Sequence, residues 1–140
     1  MRIVRRVLAM ARGDRVLLLQ ALFALFCVRL ALSFWSLGRL RRWAGQQGSG
    51  CQPQERLVWA VRRAACRLPR ATCLHQAFAL QRMLARNGHR SEVHVGVTRR
   101  DGSFAAHAWT VSDGRVLMDS DDHRAYTPLA AWSPDGERKS

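Results

Sequence analysis

The chain of 140 residues is poor in lysine, in acidic residues and in closely paired cysteines, and each shortage narrows the classes of protein to which it can belong. Lysine occurs once, at Lys139, so arginine supplies nearly all of the 23 basic residues. Such a bias reflects codon usage as well as function, and an individual arginine therefore needs no special role. Only ten acidic residues oppose this charge, which leaves a formal net charge of +13. An excess of this sign suits an acidic partner, a nucleic acid or an anionic membrane surface.

The four cysteines form no C-x2-C pair, the short spacing that structural zinc sites usually use. Cys73 and His75 lie two residues apart on a predicted helix, so their side chains point to different faces. The sequence therefore predicts no metal site, and because it lacks a phosphate-binding loop it predicts no nucleotide cofactor. The first apolar segment is followed by arginines and has no small-residue cleavage site, so we expect a cytoplasmic protein with free thiols.

The positive charge is concentrated in the first half of the chain. Residues 1–72 carry 14 arginines against Asp14 and Glu55, a net charge of +12, whereas residues 73–140 carry a net charge of +1. Aromatic residues that could stack on bases are few among these arginines, so we expect no nucleic-acid partner. The basic half instead predicts docking of protein partners.

Residues 15–37 form an apolar run that is long enough to span a bilayer. Arg29 interrupts this run, and an arginine within a membrane span costs about 2.5–3.5 kcal/mol on insertion scales. We therefore predict a buried helix with Arg29 on its solvent side and Asp14 as its N-cap. Peripheral membrane contact through residues 1–45 is the alternative, and it would make the protein membrane-associated.

Composition divides the chain into three parts. Glycine, glutamine and serine in the segment 38–50 predict a linker. The linker separates a basic, apolar helical region (1–50) from a core (51–132), and the polar segment 133–140 predicts a flexible tail.

The core has helical patterns followed by strand patterns. A short amphipathic helix follows Pro53, and Thr72 is placed to cap a helix over 73–87 that ends at Asn87 and Gly88. The hydrophobic period then changes to two in EVHVGVT, FAAHAWTV and RVLMD, which predicts an antiparallel three-stranded meander. The predicted fold class is α+β, with a helical N-terminal half packed on a core that contains an antiparallel sheet.

Three residues on these elements point to thiol chemistry. Cys73 starts a helix, His107 lies in the second strand and Asp119 ends the third strand. A helix N-terminus and a protonated histidine both lower the pKa of a thiol, and the resulting thiolate attacks carbonyl carbon. The histidine then transfers protons, the first-turn N–H groups stabilise the oxyanion, and a third group orients the imidazole.

The register of the predicted hairpin brings the histidine near the acid. A tight turn at SDG, residues 112–114, pairs His107 with the residue next to Asp119. The run DSDD also offers Asp121 and Asp122, so Asp121 competes with Asp119 as the residue that orients His107.

A resemblance to a known family adds to this reasoning. The stretch TCLHQAFALQRMLARNGHRSEVHVGVTRRDGSFAAHAWTVSDGRVLMD resembles the core of the lasso-peptide leader peptidases, the B-protein family of transglutaminase-like cysteine proteases. Its marks occur in order: CL opening a helix that ends LxRxG, an HVGV strand, AHAW and DGRVL. The likeness covers residues 57–130, and we expect the separate peptide-recognition domain of some fused members to be absent from this chain.

The resemblance implies a function and a set of partners. By position, Cys73 corresponds to the family nucleophile, His107 to the general base and acid, and Asp119 to the orienting acid, on a papain- or transglutaminase-like core. The implied activity is a cysteine endopeptidase that removes the leader from a ribosomally synthesised lasso precursor peptide before macrolactam closure. The implied partners are a separate leader-recognition protein and the lasso cyclase, and the leader is expected to carry a threonine near its end.

Two other functions are compatible with the sequence. The same residues would serve a transglutaminase-like acyltransferase, in which an amine replaces water as the acceptor. A non-catalytic basic module that binds a membrane or a protein would rest on the charge of the first half alone. Two further residues are candidates for substrate binding: Trp109, which either walls the site or packs in the core, and Arg70, which precedes the nucleophile.

Overall fold

From residue 11 onward, four helices precede five strands in the computed structural model, which describes residues 2, 4, 5, 11–118, 123–134 and 136–139. The helices are α1 (Arg12–Phe34), α2 (Leu37–Ala44), α3 (Gln54–Ala65) and α4 (Cys73–Arg86). The strands are β1 (Glu92–Arg100), β2 (Ser103–Ser112), β3 (Arg115–Met118), β4 (Thr127–Ser133) and β5 (Gly136–Lys139). This order of helices and then strands confirms the predicted α+β class.

The strands form one antiparallel sheet in the order β3-β2-β1-β4-β5. The meander β1–β2–β3 confirms the pattern read from the sequence, and β4 and β5 extend it beyond β1. Strand β5 lies within the segment predicted to be a flexible tail, where it pairs along β4 from Ser133↔Gly136 to Ala130↔Lys139. Its polar sequence, GERK, is typical of an edge strand, which needs only one hydrogen-bonded neighbour.

Helix α1 packs against α3 and α4, and one hydrophobic core joins the helices to the sheet. Leu18 and Leu25 on α1 are buried in it together with Val93 and Ala108 on the sheet. The helical N-terminal half therefore packs on the core, as the sequence predicted. Phe78 of α4 is fully buried at the centre, and burial of such a side chain contributes about 1.5–3 kcal/mol.

The start of α1 differs from the prediction. The helix begins at Arg12 and its N-cap is Ala11, so the expectation that Asp14 caps it is wrong. Asp14 lies instead in the first turn, where its carboxylate accepts a hydrogen bond from the Arg56 guanidinium at 2.6 Å. An acid in this position is favoured because it faces the positive end of the helix dipole.

The long apolar helix is buried on one side only. Helix α1 is long and apolar enough by composition to cross a membrane. Within the protein, 39% of its most apolar 18-residue window is buried. Arg29 lies in its last third, is half-buried and donates a hydrogen bond to the Pro69 carbonyl, in the loop before α4. The guanidinium is therefore engaged with that loop and not only with solvent.

Two buried polar side chains fix α4 on the sheet. Thr110 Oγ1 on β2 donates to the Ala77 carbonyl at 3.2 Å. Gln81 Nε2 on α4 donates to the carbonyls of Ser91 and Trp132 at 3.2 and 3.0 Å. Buried polar atoms are costly without partners, so these bonds favour one position of the helix over a slide along the sheet. The first residue of that helix is Cys73.

Candidate active site

The structure places Cys73 at the first position of α4, directly after a well-formed cap. Thr72 is the N-cap, and its side-chain oxygen accepts from the His75 backbone N–H at 3.4 Å. The Thr72 carbonyl accepts from the Gln76 N–H at 3.1 Å. These bonds leave the N–H groups of Cys73 and Leu74 as the first-turn donors that the cap does not use. The predicted cap and helix start are confirmed.

The side chain of His75 forms the second half of this capping box. Its Nδ1 atom accepts from the Thr72 backbone N–H at 3.1 Å and lies 2.6 Å from Thr72 Oγ1. Partial burial and then the positive charge of Arg29 lower the pKa of His75 from its usual value of 6.5. Both effects favour the neutral ring, which is the form whose Nδ1 can accept the hydrogen bond.

His107 occupies the middle of β2, where its ring is held by aromatic neighbours. It is buried, with 4% of its surface exposed. The Tyr126 ring lies 5.1 Å away between centroids and the Trp109 ring 5.7 Å away. The imidazole therefore lies in a wall of packed aromatic rings.

Gly96 makes room for that wall. It pairs with His107 across β1 and β2. A Cβ atom added at Gly96 would lie 2.9 Å from Tyr126 Cβ and 3.0 Å from Trp109 Cη2. Distances this short force neighbouring atoms to move, so the position admits only glycine without a shift. The groups that approach this glycine are these two aromatic side chains and the Thr127 carbonyl oxygen, which would lie 3.0 Å from the added atom.

Cys73 and His107 line the same cleft, which has a volume of about 370 Å³. The cleft lies between the start of α4, the end of α3 and strands β2 and β3. Its walls are mostly small or apolar, with one cationic and one amide side chain. Its lining residues are Arg62, Ala65, Cys66, Cys73, Gln76, His107, Ala108 and Met118.

The third predicted residue, Asp119, lies outside the described residues, as does its competitor Asp121. The described part of β3 ends one residue earlier, at Met118, which itself lines the cleft. The predicted hairpin pairing is confirmed at Val111↔Val116, and the register then shifts so that Thr110 pairs with Met118. The chain therefore reaches the edge of the cleft immediately before Asp119.

The two residues proposed for substrate contact lie elsewhere. Trp109 is 4% exposed and packs against His107, His94 and Tyr126, and it is not among the described residues that line the cleft. Arg70 is exposed in the loop before Thr72, also away from that lining, and has a left-handed backbone with φ of 63°. Such a φ is uncommon for a residue other than glycine.

Three polar or thiol side chains of the cleft were not predicted from the sequence: Arg62, Cys66 and Gln76. Arg62 and Cys66 come from α3 and its C-cap, and only the tertiary packing brings them to Cys73. Gln76 had a signal, because it lies one helical turn after the nucleophile candidate. Its Nε2 atom donates to the Ala71 carbonyl at 3.2 Å.

The contents of the cleft suit acyl transfer through a thiol. A cysteine at a helix start can act as a nucleophile on a carbonyl carbon. An imidazole in the same cleft can transfer protons, and backbone N–H groups can stabilise an oxyanion. Among the described residues no group of three or more metal-binding side chains comes together.

The cap beside Cys73 predicts a dependence of stability on pH. Because the pKa of His75 is lower in the folded protein than in the unfolded chain, the unfolded chain binds the proton more readily. The contribution of His75 to stability is therefore present above pH 6.5 and is lost as the pH falls towards the lower, folded pKa. We expect the urea midpoint of His75→Gln to fall less between pH 7.5 and 5.0 than that of the unmodified chain.

Glutamine is the matched replacement because it also serves at the third position of a capping box. The other four histidines are common to both proteins, so their titration cancels in the comparison. An equal fall of the two midpoints would show that His75 does not carry the effect.

Comparison with known proteins supports the reading of the cleft at the level of a superfamily. The family model described as the transglutaminase-like superfamily matches residues 16–131. No curated protein and no solved structure matched the chain. The matched region runs from α1 to β4 and includes both Cys73 and His107, and it covers well over half of the chain. The chain therefore belongs to the transglutaminase-like superfamily.

Proposed function

We propose that this protein is a cysteine endopeptidase that removes the leader from a ribosomally synthesised lasso precursor peptide before the macrolactam ring closes. The observation that carries the chemistry is the shared cleft of Cys73 and His107 at a capped helix start. Membership of the superfamily supports a cysteine peptidase or acyltransferase. The narrower choice of substrate rests on the resemblance of residues 57–130 to the lasso leader peptidases.

The proposed reaction proceeds through an acyl-enzyme. The Cys73 thiolate attacks the carbonyl carbon of the scissile peptide bond, and the developing oxyanion receives hydrogen bonds from the N–H groups of Cys73 and Leu74. His107, which has taken the proton of the Cys73 thiol, gives it to the leaving amine, and the amine departs as the new N-terminus of the core peptide. Water, deprotonated by His107, then hydrolyses the thioester and releases the leader as a carboxylate. Asp119 is proposed to orient His107, with Asp121 as the alternative.

The dimensions of the cleft fit part of an extended peptide. A volume of about 370 Å³ is at the lower end of the range for ligand pockets, about 300–1,000 Å³. Ala65, Ala108 and Met118 supply apolar surface, and Arg62 supplies a cation. A cleft of this size holds the residues next to the cut and leaves the rest of the precursor to be bound elsewhere.

Binding of the remaining precursor is assigned to partners. We assign recognition of the leader to a separate protein and closure of the ring to the lasso cyclase, with no cofactor in this chain. The net charge of +12 on residues 1–72 supports docking of an acidic partner or leader on that half.

The proposed activity is tested in water labelled with heavy oxygen. A precursor with a threonine near the end of its leader is incubated with the recognition protein and this chain, and the products are weighed by mass spectrometry. A single cut is expected, with one heavy oxygen atom in the new carboxylate of the leader and none in the core peptide. Absence of any cut in the presence of both partners would contradict the proposal.

A second candidate, transfer of the acyl group to an amine, is favoured by the name of the superfamily. The same mixture with an added primary alkylamine separates the two reactions. An acyltransferase would release a leader that carries the amine as an amide and contains no heavy oxygen. A peptidase would release the labelled carboxylate whether or not the amine is present.

A further inference from the structure

The outer side of α1 carries a continuous apolar stripe that no described part of the chain covers. Its residues recur every three or four positions, so they share one face of the helix. The buried residues of α1 occupy the opposite face. The exposed fractions along the stripe are Val16 49%, Leu19 61%, Phe23 68%, Phe26 50%, Leu30 43% and Phe34 81%.

The stripe is large for a surface with no partner. A phenylalanine side chain presents about 150–250 Å², so the exposed fractions of Phe23, Phe26 and Phe34 together amount to about 300–500 Å². The largest apolar patch on an ordinary monomer is about 300–600 Å² and is often functional. Three phenylalanines alone reach that size, and leucine and valine enlarge the patch further.

Arginines lie at both ends of the stripe. Arg12 is exposed at the start of α1, and Arg39 and Arg42 are exposed on α2, which follows its end. The Arg39 guanidinium lies 5.8 Å from the centre of the Trp35 ring, so cation and aromatic ring meet where the stripe ends. Asp14 is the only acid in α1 and α2, and it is paired with Arg56 away from the stripe.

This distribution of charge selects among the partners that could cover the stripe. A second copy of the chain would bring arginine-rich ends next to each other, which opposes pairing. A specific protein interface usually contains about one hydrogen bond per 100–200 Å², but the stripe from Phe23 to Leu30 offers no charged group on its exposed face. An apolar face with cations at its ends fits an anionic bilayer, in which acyl chains accept the phenylalanines and headgroups accept the arginines.

We propose that the outer face of α1 docks on the surface of an anionic lipid bilayer, with the helix lying in the plane of the interface. The helix does not span the membrane, because Leu18 and Leu25 on its other face belong to the core of the protein. The proposal is independent of the reaction at Cys73, which lies on α4.

Binding to vesicles tests the proposal directly. The intact chain is sedimented with vesicles of phosphatidylcholine alone and with vesicles that also contain phosphatidylglycerol. We expect it to bind the anionic vesicles more tightly and to release them as salt is added. The double variant Phe23→Ser/Phe26→Ser should bind at least about tenfold more weakly, because two large apolar side chains no longer insert.

The chain offers a matched control in Phe104→Ser. Phe104 is 76% exposed at the start of β2, so its replacement removes a similar exposed side chain from a different surface. This variant should bind vesicles as the unmodified chain does. All three residues are at least half exposed, and equal thermal midpoints of the variants would show that the fold is intact.

Two outcomes would overturn the proposal. Equal weakening by Phe104→Ser and by the double variant would mean that binding is non-specific. Failure of the unmodified chain to bind anionic vesicles, together with slower precursor cleavage by the double variant in solution, would assign the stripe to a protein partner. Cleavage that is unchanged in the double variant without vesicles would leave the proposed function intact.

Discussion

Replacement of Cys73 by alanine is expected to lower the rate of precursor cleavage at least about 10³-fold, because it removes the sulfur atom that is proposed to attack the peptide bond. The change should leave the fold in place. Cys73 is half-buried at the first position of α4, and alanine is a strong helix former. Rates are measured in single-turnover mixtures with the recognition protein present, and thermal midpoints are measured alongside.

Cys66 provides the matched control for this experiment. It is a second thiol that lines the same cleft, but it lies at the end of α3 and has no helix start of its own. We expect Cys66→Ala to retain the cleavage rate of the unmodified chain. If Cys73→Ala retained the cleavage rate and Cys66→Ala lost it, the nucleophile would be Cys66.

Replacement of His107 by glutamine is expected to lower the cleavage rate about 10²–10⁴-fold, since glutamine keeps a polar side chain but cannot transfer protons at neutral pH. A second readout follows the thiol itself. The alkylation of Cys73 by iodoacetamide should be slower in His107→Gln, because no imidazole is left in the cleft to take the proton of the thiol. A variant that was merely less stable would expose the thiol and would not show this slowing.

His94→Gln is the control for His107→Gln. His94 lies on the neighbouring strand β1, and its ring also contacts Trp109, at 5.9 Å between centroids. Its Nε2 atom lies 2.9 Å from a Glu92 carboxylate oxygen, and it is not among the described residues that line the cleft. Cleavage and alkylation should be unchanged in this variant. Equal effects of His94→Gln and His107→Gln would show that His107 has no special role.

Local signals made the position of Cys73 at a helix start predictable from the sequence. Thr72 indicates the start of α4, and Asn87 with Gly88 indicates its end. These signals are local, because a helix cap and a left-handed residue bond only to the nearest turn of the helix. The turn at Asp113 and Gly114 likewise fixes the hairpin between β2 and β3. Each of these features depends on residues close together in the chain.

Features that depend on distant residues were not predictable in this way. Strand β4 pairs with β1 and not with the preceding strand β3, so its place in the sheet is set by long-range contacts. The pairing of Asp14 with Arg56 and the presence of Arg62 in the cleft both require α3 to pack beside its neighbours. The shift of register between Thr110 and Val111 could not be predicted from the hydrophobic pattern either. A bulge adds one residue to a strand without giving the sequence of that strand a distinctive composition.

The glycine opposite His107 constrains how relatives of this chain can vary. Gly96, Trp109 and Tyr126 share a space in which one added carbon atom already produces contacts of 2.9–3.0 Å. A relative with alanine at position 96 would need a smaller side chain at position 109 and also a shift of the chain at positions 126 and 127, because the contacts there are with the Tyr126 Cβ atom and the Thr127 carbonyl oxygen. Glycine at position 96 is therefore expected wherever position 109 is tryptophan, and alanine beside that tryptophan would mark a chain in which the segment that carries Tyr126 has moved.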